Sequence, residues 1–235
     1  MKLYDECING VSTLLKDIKV NNLSLDDNWP DAGKNQLIFQ SDTAYELGGG
    51  NSPAISSIAL TDNKDFVPDD EIILVGNDIK DIKSDCAFAR ISIIRVNEEA
   101  LGTGDALYNT IRRIEYSRYH LNPEGYMMRI SAFSHREAAR IGKDAIKKGL
   151  NFAKIGTAFI NAYKKQAQVE AVKLIFITDP QFPFAELEKI MKKSEDITSA
   201  LDHLMKDLKM DCHTCSLKEV CEEVEELYNK DFAKK

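Results

Sequence analysis

Ile72-Ile73-Leu74-Val75, the turn Gly76-Asn77-Asp78, and then Ala87-Phe88-Ala89-Arg90-Ile91-Ser92-Ile93-Ile94-Arg95-Val96 form the stretch on which the fold depends. Short apolar runs rich in β-branched residues, separated by a Gly-Asn-Asp turn signal, predict two strands. Upstream, residues 55–60 and Leu37-Ile38-Phe39 predict two more, separated by Gly48-Gly49-Gly50. Downstream the pattern lengthens to a helical period. Residues 104–121 predict a helix that must stop before Asn122-Pro123-Glu124-Gly125, and residues 126–133 a strand. Ser134-His135-Arg136-Glu137 has the form of a capping box, in which the serine hydroxyl takes an orphan N–H and the glutamate reaches back. It predicts a helix that runs to Lys148 and ends at Gly149.

A helix over residues 152–165 and a strand at Val172-Lys173-Leu174-Ile175-Phe176-Ile177 follow, and beyond Asp179-Pro180 the pattern is helical and highly charged. At the other end, Leu3, Ile8, Val11, Leu14, Leu15 and Ile18 share one face of a helix over residues 1–19. A polar stretch that holds the single tryptophan, Trp29, reads as a linker. Strands first and helices later, without steady β-α-β alternation, define an α+β protein. Its sheet is expected to be mostly antiparallel with packed helices and a helical, cysteine-containing tail. The expected division is an N-terminal helix and linker at 1–34, an α+β domain at 35–205, and a metal-binding segment at 206–235.

A formal net charge of −7 argues against a general nucleic-acid binder, since polyanions repel acidic proteins. No apolar run reaches the roughly 18 residues of a membrane span, and Met1-Lys2-Leu3-Tyr4-Asp5-Glu6 lacks a signal-peptide core. A cytoplasmic location is expected, with neither nucleic acid nor membrane as partner. Arg90, Arg95, Arg112, Arg113, Arg118, Arg129, Arg136 and Arg140 are all the arginines of the chain, and the rest of its basic charge is lysine. Such segregation points to bidentate recognition of phosphate or carboxylate; the alternative is a run of helix-surface and edge-strand charges. Arg129, Arg136 and Arg140 are the leading ligand-binding candidates, with Arg112 and Arg113 beside them. Arg136 would lie in the first turn of the helix capped by Ser134, with Arg140 one turn further on. Gly48-Gly49-Gly50 has no Lys-Ser/Thr after it and fails as a phosphate-binding Walker loop, leaving a turn with close backbone packing.

Of the five cysteines, three form Cys212-His213-Thr214-Cys215-Ser216-Leu217-Lys218-Glu219-Val220-Cys221. An odd number bunched at one end suits metal chemistry better than a disulfide framework. Three thiolates at this range are expected to hold an iron–sulfur cluster, with a fourth ligand from Cys86, Cys7, His213 or an exogenous molecule. Zinc is the alternative, with His203 able to complete a site of three cysteines and one histidine. Packing as small hydrophobes is disfavoured by the polar surroundings of Asp211, Lys218, Glu219, Glu222 and Glu223.

Four stretches carry a resemblance. Tyr45-Glu46-Leu47-Gly48-Gly49-Gly50-Asn51-Ser52-Pro53-Ala54 resembles the valine-glutamate-leucine-triple-glycine segment of acetyl-CoA synthase, the β-subunit of the carbon monoxide dehydrogenase/acetyl-CoA synthase complex. Val75-Gly76-Asn77-Asp78-Ile79-Lys80-Asp81-Ile82, Arg140-Ile141-Gly142-Lys143-Asp144-Ala145 and Ile175-Phe176-Ile177-Thr178-Asp179 are similar to later segments of that family, in the same order. The resemblance implies the family's middle domain, an α+β unit with an arginine-rich surface facing coenzyme A. It also implies that Cys212 and Cys215, with Cys221 as third ligand, hold a 4Fe–4S cluster, a centre vulnerable to oxygen in a protein of anaerobic metabolism. The family's fourth cluster cysteine, its N-terminal docking domain and its nickel-binding Cys-Gly-Cys motif have no counterpart in residues 1–235. No nickel is therefore expected, and acetyl-CoA synthesis by these residues alone is not. Two function classes follow. One is an iron–sulfur protein that binds coenzyme A or another phosphate-bearing molecule, with acyl-transfer or redox chemistry if it is an enzyme. The other is a non-catalytic partner or assembly protein of a one-carbon or corrinoid pathway, with a structural zinc or cluster.

Overall fold

The structure is a computed structural model that describes residues 2–130, 136–205, 220–221 and 224–225. Its order is α1 (Asp5–Leu15), β1 (Asn21–Leu23), β2 (Thr43–Leu47), β3 (Ala54–Thr61), β4 (Glu71–Val75), β5 (Phe88–Val96), α2 (Gly104–Tyr116), β6 (Tyr126–Ile130), β7 (Glu137–Gly142), α3 (Lys143–Lys147), α4 (Phe152–Lys164), β8 (Val169–Ile177) and α5 (Phe184–Met205). The strands form a five-stranded sheet in the order β1-β4-β8-β5-β3 and a three-stranded sheet in the order β2-β7-β6. Most pairings are antiparallel; β3 with β5 and β4 with β8 are the parallel ones. This is the α+β architecture expected.

The central strands are apolar on both faces because both faces are covered. Every residue of β3 is buried, and so is most of β5. Phe88, Phe152 and Phe176 stack where β5, the start of α4 and β8 meet. Tyr126 of β6 meets Phe159 of α4 edge-on at 6.2 Å, which joins the small sheet to the helix layer. β3 lies at the rim of the large sheet, and α5 shields it: Ser194 Oγ donates to the Ile58 carbonyl at 2.5 Å, occupying an acceptor that the sheet leaves open. α1 packs against α5 through the same continuous core, and β1 extends the large sheet beside β4.

Two local expectations are corrected. Residues 137–142 form β7, not the first half of a helix, and the helical turn is only α3. In β7 Glu137, Ala139 and Ile141 are buried while Ala138 and Arg140 are half-buried, the period-two pattern of a strand between two partners. Pairing on both sides overrides the helical propensity of Glu-Ala-Ala-Arg. Ser134 and His135 lie outside the described residues. Leu37-Ile38-Phe39 is not a strand either; the pairing segment is β2, six residues on, while Leu37 and Phe39 are exposed on either side of the buried Ile38.

Candidate functional site

Gly48, Gly49 and Gly50 leave β2 in a turn that only glycine accommodates at its first two positions. Gly48 has φ +66, and a Cβ there would lie 2.5 Å from that of Ala54. A Cβ on Gly49 would lie 2.7 Å from Oε2 of Glu46, so its lack of a side chain makes room for that carboxylate. Glu46 gathers two arginines. Arg129 Nη1 donates to both of its oxygens at 2.7 Å, and Arg140 Nε donates to Oε1 at 2.6 Å. Arg140 also donates to the Ile38 carbonyl and to Oε1 of Gln40. Arg136, exposed, donates through Nη2 to the Gly50 and Ser52 carbonyls. Three sequence-selected arginines thus converge on the turn between Glu46 and Ser52. Arg129 reaches it from β6, Arg140 from β7 and Arg136 from the residue before β7, none of them from a helix N-terminus. Two guanidinium groups on one carboxylate leave an excess positive charge, and Arg129 remains half-exposed.

The other arginines serve elsewhere. Arg112 and Arg113 sit on α2, engaged with Glu115, Tyr116 and Thr110. Arg95 binds Glu170 and the Val67 and Pro68 carbonyls. Arg90 is fully buried and pairs with Glu137, Nη1 to Oε1 at 2.5 Å and Nη2 to Oε2 at 2.9 Å. It also donates to Ser56 Oγ and stacks over the Phe159 ring at 4.0 Å. Burial alone would lower its pKa, but the adjacent Glu137 carboxylate reverses the sign and holds it above the ordinary arginine value. This pair fastens β5 of the large sheet to β7 of the small one, directly behind the arginine turn. Arginine segregation alone leaves Arg90 between anion recognition and a surface charge; its place amid Ile91, Ile93 and Ile94 is the available sign of burial with a partner.

The four stretches of resemblance are contiguous in space. Tyr45 Oη donates to the Ile79 carbonyl at 2.5 Å, Arg140 binds Glu46, and Thr178 Oγ1 and N donate to the Asn77 and Val75 carbonyls at 2.8 Å. The turn is also backed by Cys86, whose carbonyl accepts from Gly48 N at 2.8 Å and whose N–H donates to the Glu46 carbonyl at 3.2 Å. Burial pushes the Cys86 thiol up to about 11, with Asp85 adding to the shift. Burial likewise raises Cys7, in α1, to about 11. Cys212, Cys215 and His213 lie outside the described residues; Cys221 is half-buried and packed against the core. Among the described residues no three His, Cys, Asp or Glu side chains are grouped to hold a metal ion. No helix among them is long and apolar enough to cross a membrane.

An α+β unit of two sheets, with an arginine-gathered turn built from four separate sequence segments, is the class of protein defined here. The family model described as CO dehydrogenase/acetyl-CoA synthase complex beta subunit matches residues 32–182, more than half of the chain, and the chain belongs to that family. It is similar to acetyl-CoA decarbonylase/synthase complex subunits beta 1 and beta 2 of Methanosarcina mazei, at 25% identity over 166 residues in each case. Each match covers 69% of this chain and 33% of the relative, so the chain spans about a third of the length of the curated relatives it matches.

Proposed function

We propose that this chain binds coenzyme A, or a similar phosphate-bearing ligand, at the turn between Glu46 and Ser52. The observation that carries the reading is the convergence of Arg129, Arg136 and Arg140 on that turn, within the region of family resemblance. A guanidinium offers two parallel donors to a phosphate, and each charge-assisted bond contributes roughly 1.5–3 kcal/mol. The relatives are named as subunits of an acetyl-CoA decarbonylase/synthase complex, which makes coenzyme A the first ligand to test and another subunit the first protein partner.

The metal part of the proposal rests on donor chemistry. Cys212, Cys215 and Cys221 would hold a 4Fe–4S cluster, whose chemistry when bound is electron transfer or Lewis-acid activation at an open iron. Cys221, packed against the core, gives such a centre an anchored third thiolate. Burial raises the Cys86 and Cys7 thiols to about 11, which works against either as a fourth thiolate ligand. Residues 1–235 contain no Cys-Gly-Cys, so nickel is not expected to bind stoichiometrically. In the second reading, a non-catalytic partner or assembly protein, zinc or a fully ligated cluster would fasten the tail and nothing more; the burial of Cys221 favours it as much as the first.

Calorimetry with coenzyme A tests the ligand. Binding is expected to weaken as salt rises, and Arg136→Ala to weaken it about tenfold or more. Absence of binding by the wild-type protein at low salt would leave the partner-protein reading.

A further inference from the structure

A cleft of about 650 Å³ runs between residues 51–55, where the glycine turn feeds into β3, and one face of α5. That size lies in the range of small-molecule sites. Its floor is apolar: Ile55 and Met191 are buried, and Phe184 closes the end at the start of α5. Its rim carries three cations, Arg136 from the loop before β7 and Lys189 and Lys192 from α5, the two lysines both exposed. Glu188 and Glu195 also line it, so the lining charge is one net positive. An apolar floor beneath basic side chains of two different elements suits a molecule with a phosphate at one end and an apolar group at the other. A free inorganic ion would leave the floor unused. The α5 wall lies beyond the family-matched stretch, which ends at residue 182.

We infer that this cleft is a binding site for a phosphomonoester carried on a short apolar group, its phosphate held by Arg136, Lys189 and Lys192 and its apolar group laid over Ile55 and Met191. The inference deepens the functional reading above and rests on the same role for Arg136 as an anion contact, but it adds the two lysines and the apolar floor.

Phenyl phosphate is a suitable probe, observed through the methyl signal of Met191 in protein labelled at methionine methyl groups. Saturable displacement of that signal is expected, with inorganic phosphate and benzyl alcohol each at least tenfold weaker. Lys189→Glu with Lys192→Glu, both at exposed positions and checked for an unchanged melting temperature, is expected to weaken phenyl phosphate tenfold or more. If phenyl phosphate leaves Met191 unmoved, or the double variant binds it as the wild type does, the cleft is not the site. Parallel titrations with coenzyme A separate the two readings. Coenzyme A binding that survives the double variant while Met191 stays silent overturns the cleft and retains the turn. Lysine-dependent phenyl phosphate binding without coenzyme A binding does the reverse.

Discussion

Glu46 serves two guanidinium groups at once, and any anion that binds Arg129 or Arg140 must compete with it. Glu46→Gln keeps the shape and removes the competing charge, so it is expected to tighten coenzyme A binding by roughly tenfold, the scale of one charge-assisted contact. A weakened affinity in calorimetry would show that the carboxylate chiefly holds the arginines in place. Behind this site, Arg90 and Glu137 are a buried ion pair, 0% and 4% exposed. Removing one partner strands the other, so Glu137→Ala should lower unfolding free energy by about 3–5 kcal/mol. The double change Arg90→Met with Glu137→Leu should recover much of that loss in urea denaturation; no recovery would mean the pair does more than balance charge. Cys86 adds a pH effect. Its thiol sits at about 11 against an ordinary 9.0, so above pH 9 the unfolded chain sheds its proton first and folding stability falls as the pH climbs towards 11. Cys86→Ala should flatten that part of the wild-type decline, and equal slopes for the two proteins would contradict the assignment.

The strands that build the core were legible as elements because their apolar runs are short, β-branched and bounded by turns; β3, β4, β5 and β8 fall where the sequence places them. α2 and α4 were legible from their period and their stop signals. β7 was not. Glu137-Ala138-Ala139-Arg140 has the composition of a helix, and its strand conformation comes from β2 and β6 on either side, which no local pattern records. The arginine site was half legible for a related reason. The sequence pattern groups Arg136 and Arg140 on one helix face, whereas Arg140 lies in β7 and Arg136 just before it, and the two meet the turn through different contacts. Glu46, which holds the cluster together, stood in plain view before the three glycines. Its role depends on Gly49 giving it room, and on contacts from residues 83 and 94 positions away.

At the scale of the molecule, the family match at residues 32–182 takes in β2 to β8 and α2 to α4, while α1, β1 and α5 lie outside it. Protein isolated without oxygen is expected to be brown and to contain iron and sulfide, and Cys212→Ala or Cys215→Ala should abolish both. Colourless protein with one zinc ion would remove the cluster and favour the assembly role. The claim on which the rest depends is that the turn between Glu46 and Ser52 is where this chain meets its phosphate-bearing ligand. Chemical-shift mapping on protein labelled with nitrogen-15, with coenzyme A added at low salt, measures that most directly. Backbone amides of residues 46–54 and the side-chain Nε–H signals of Arg129, Arg136 and Arg140 should shift together and saturate with one affinity. Shifts confined to Arg112 and Arg113 on α2, or no saturable shift at all, would contradict it.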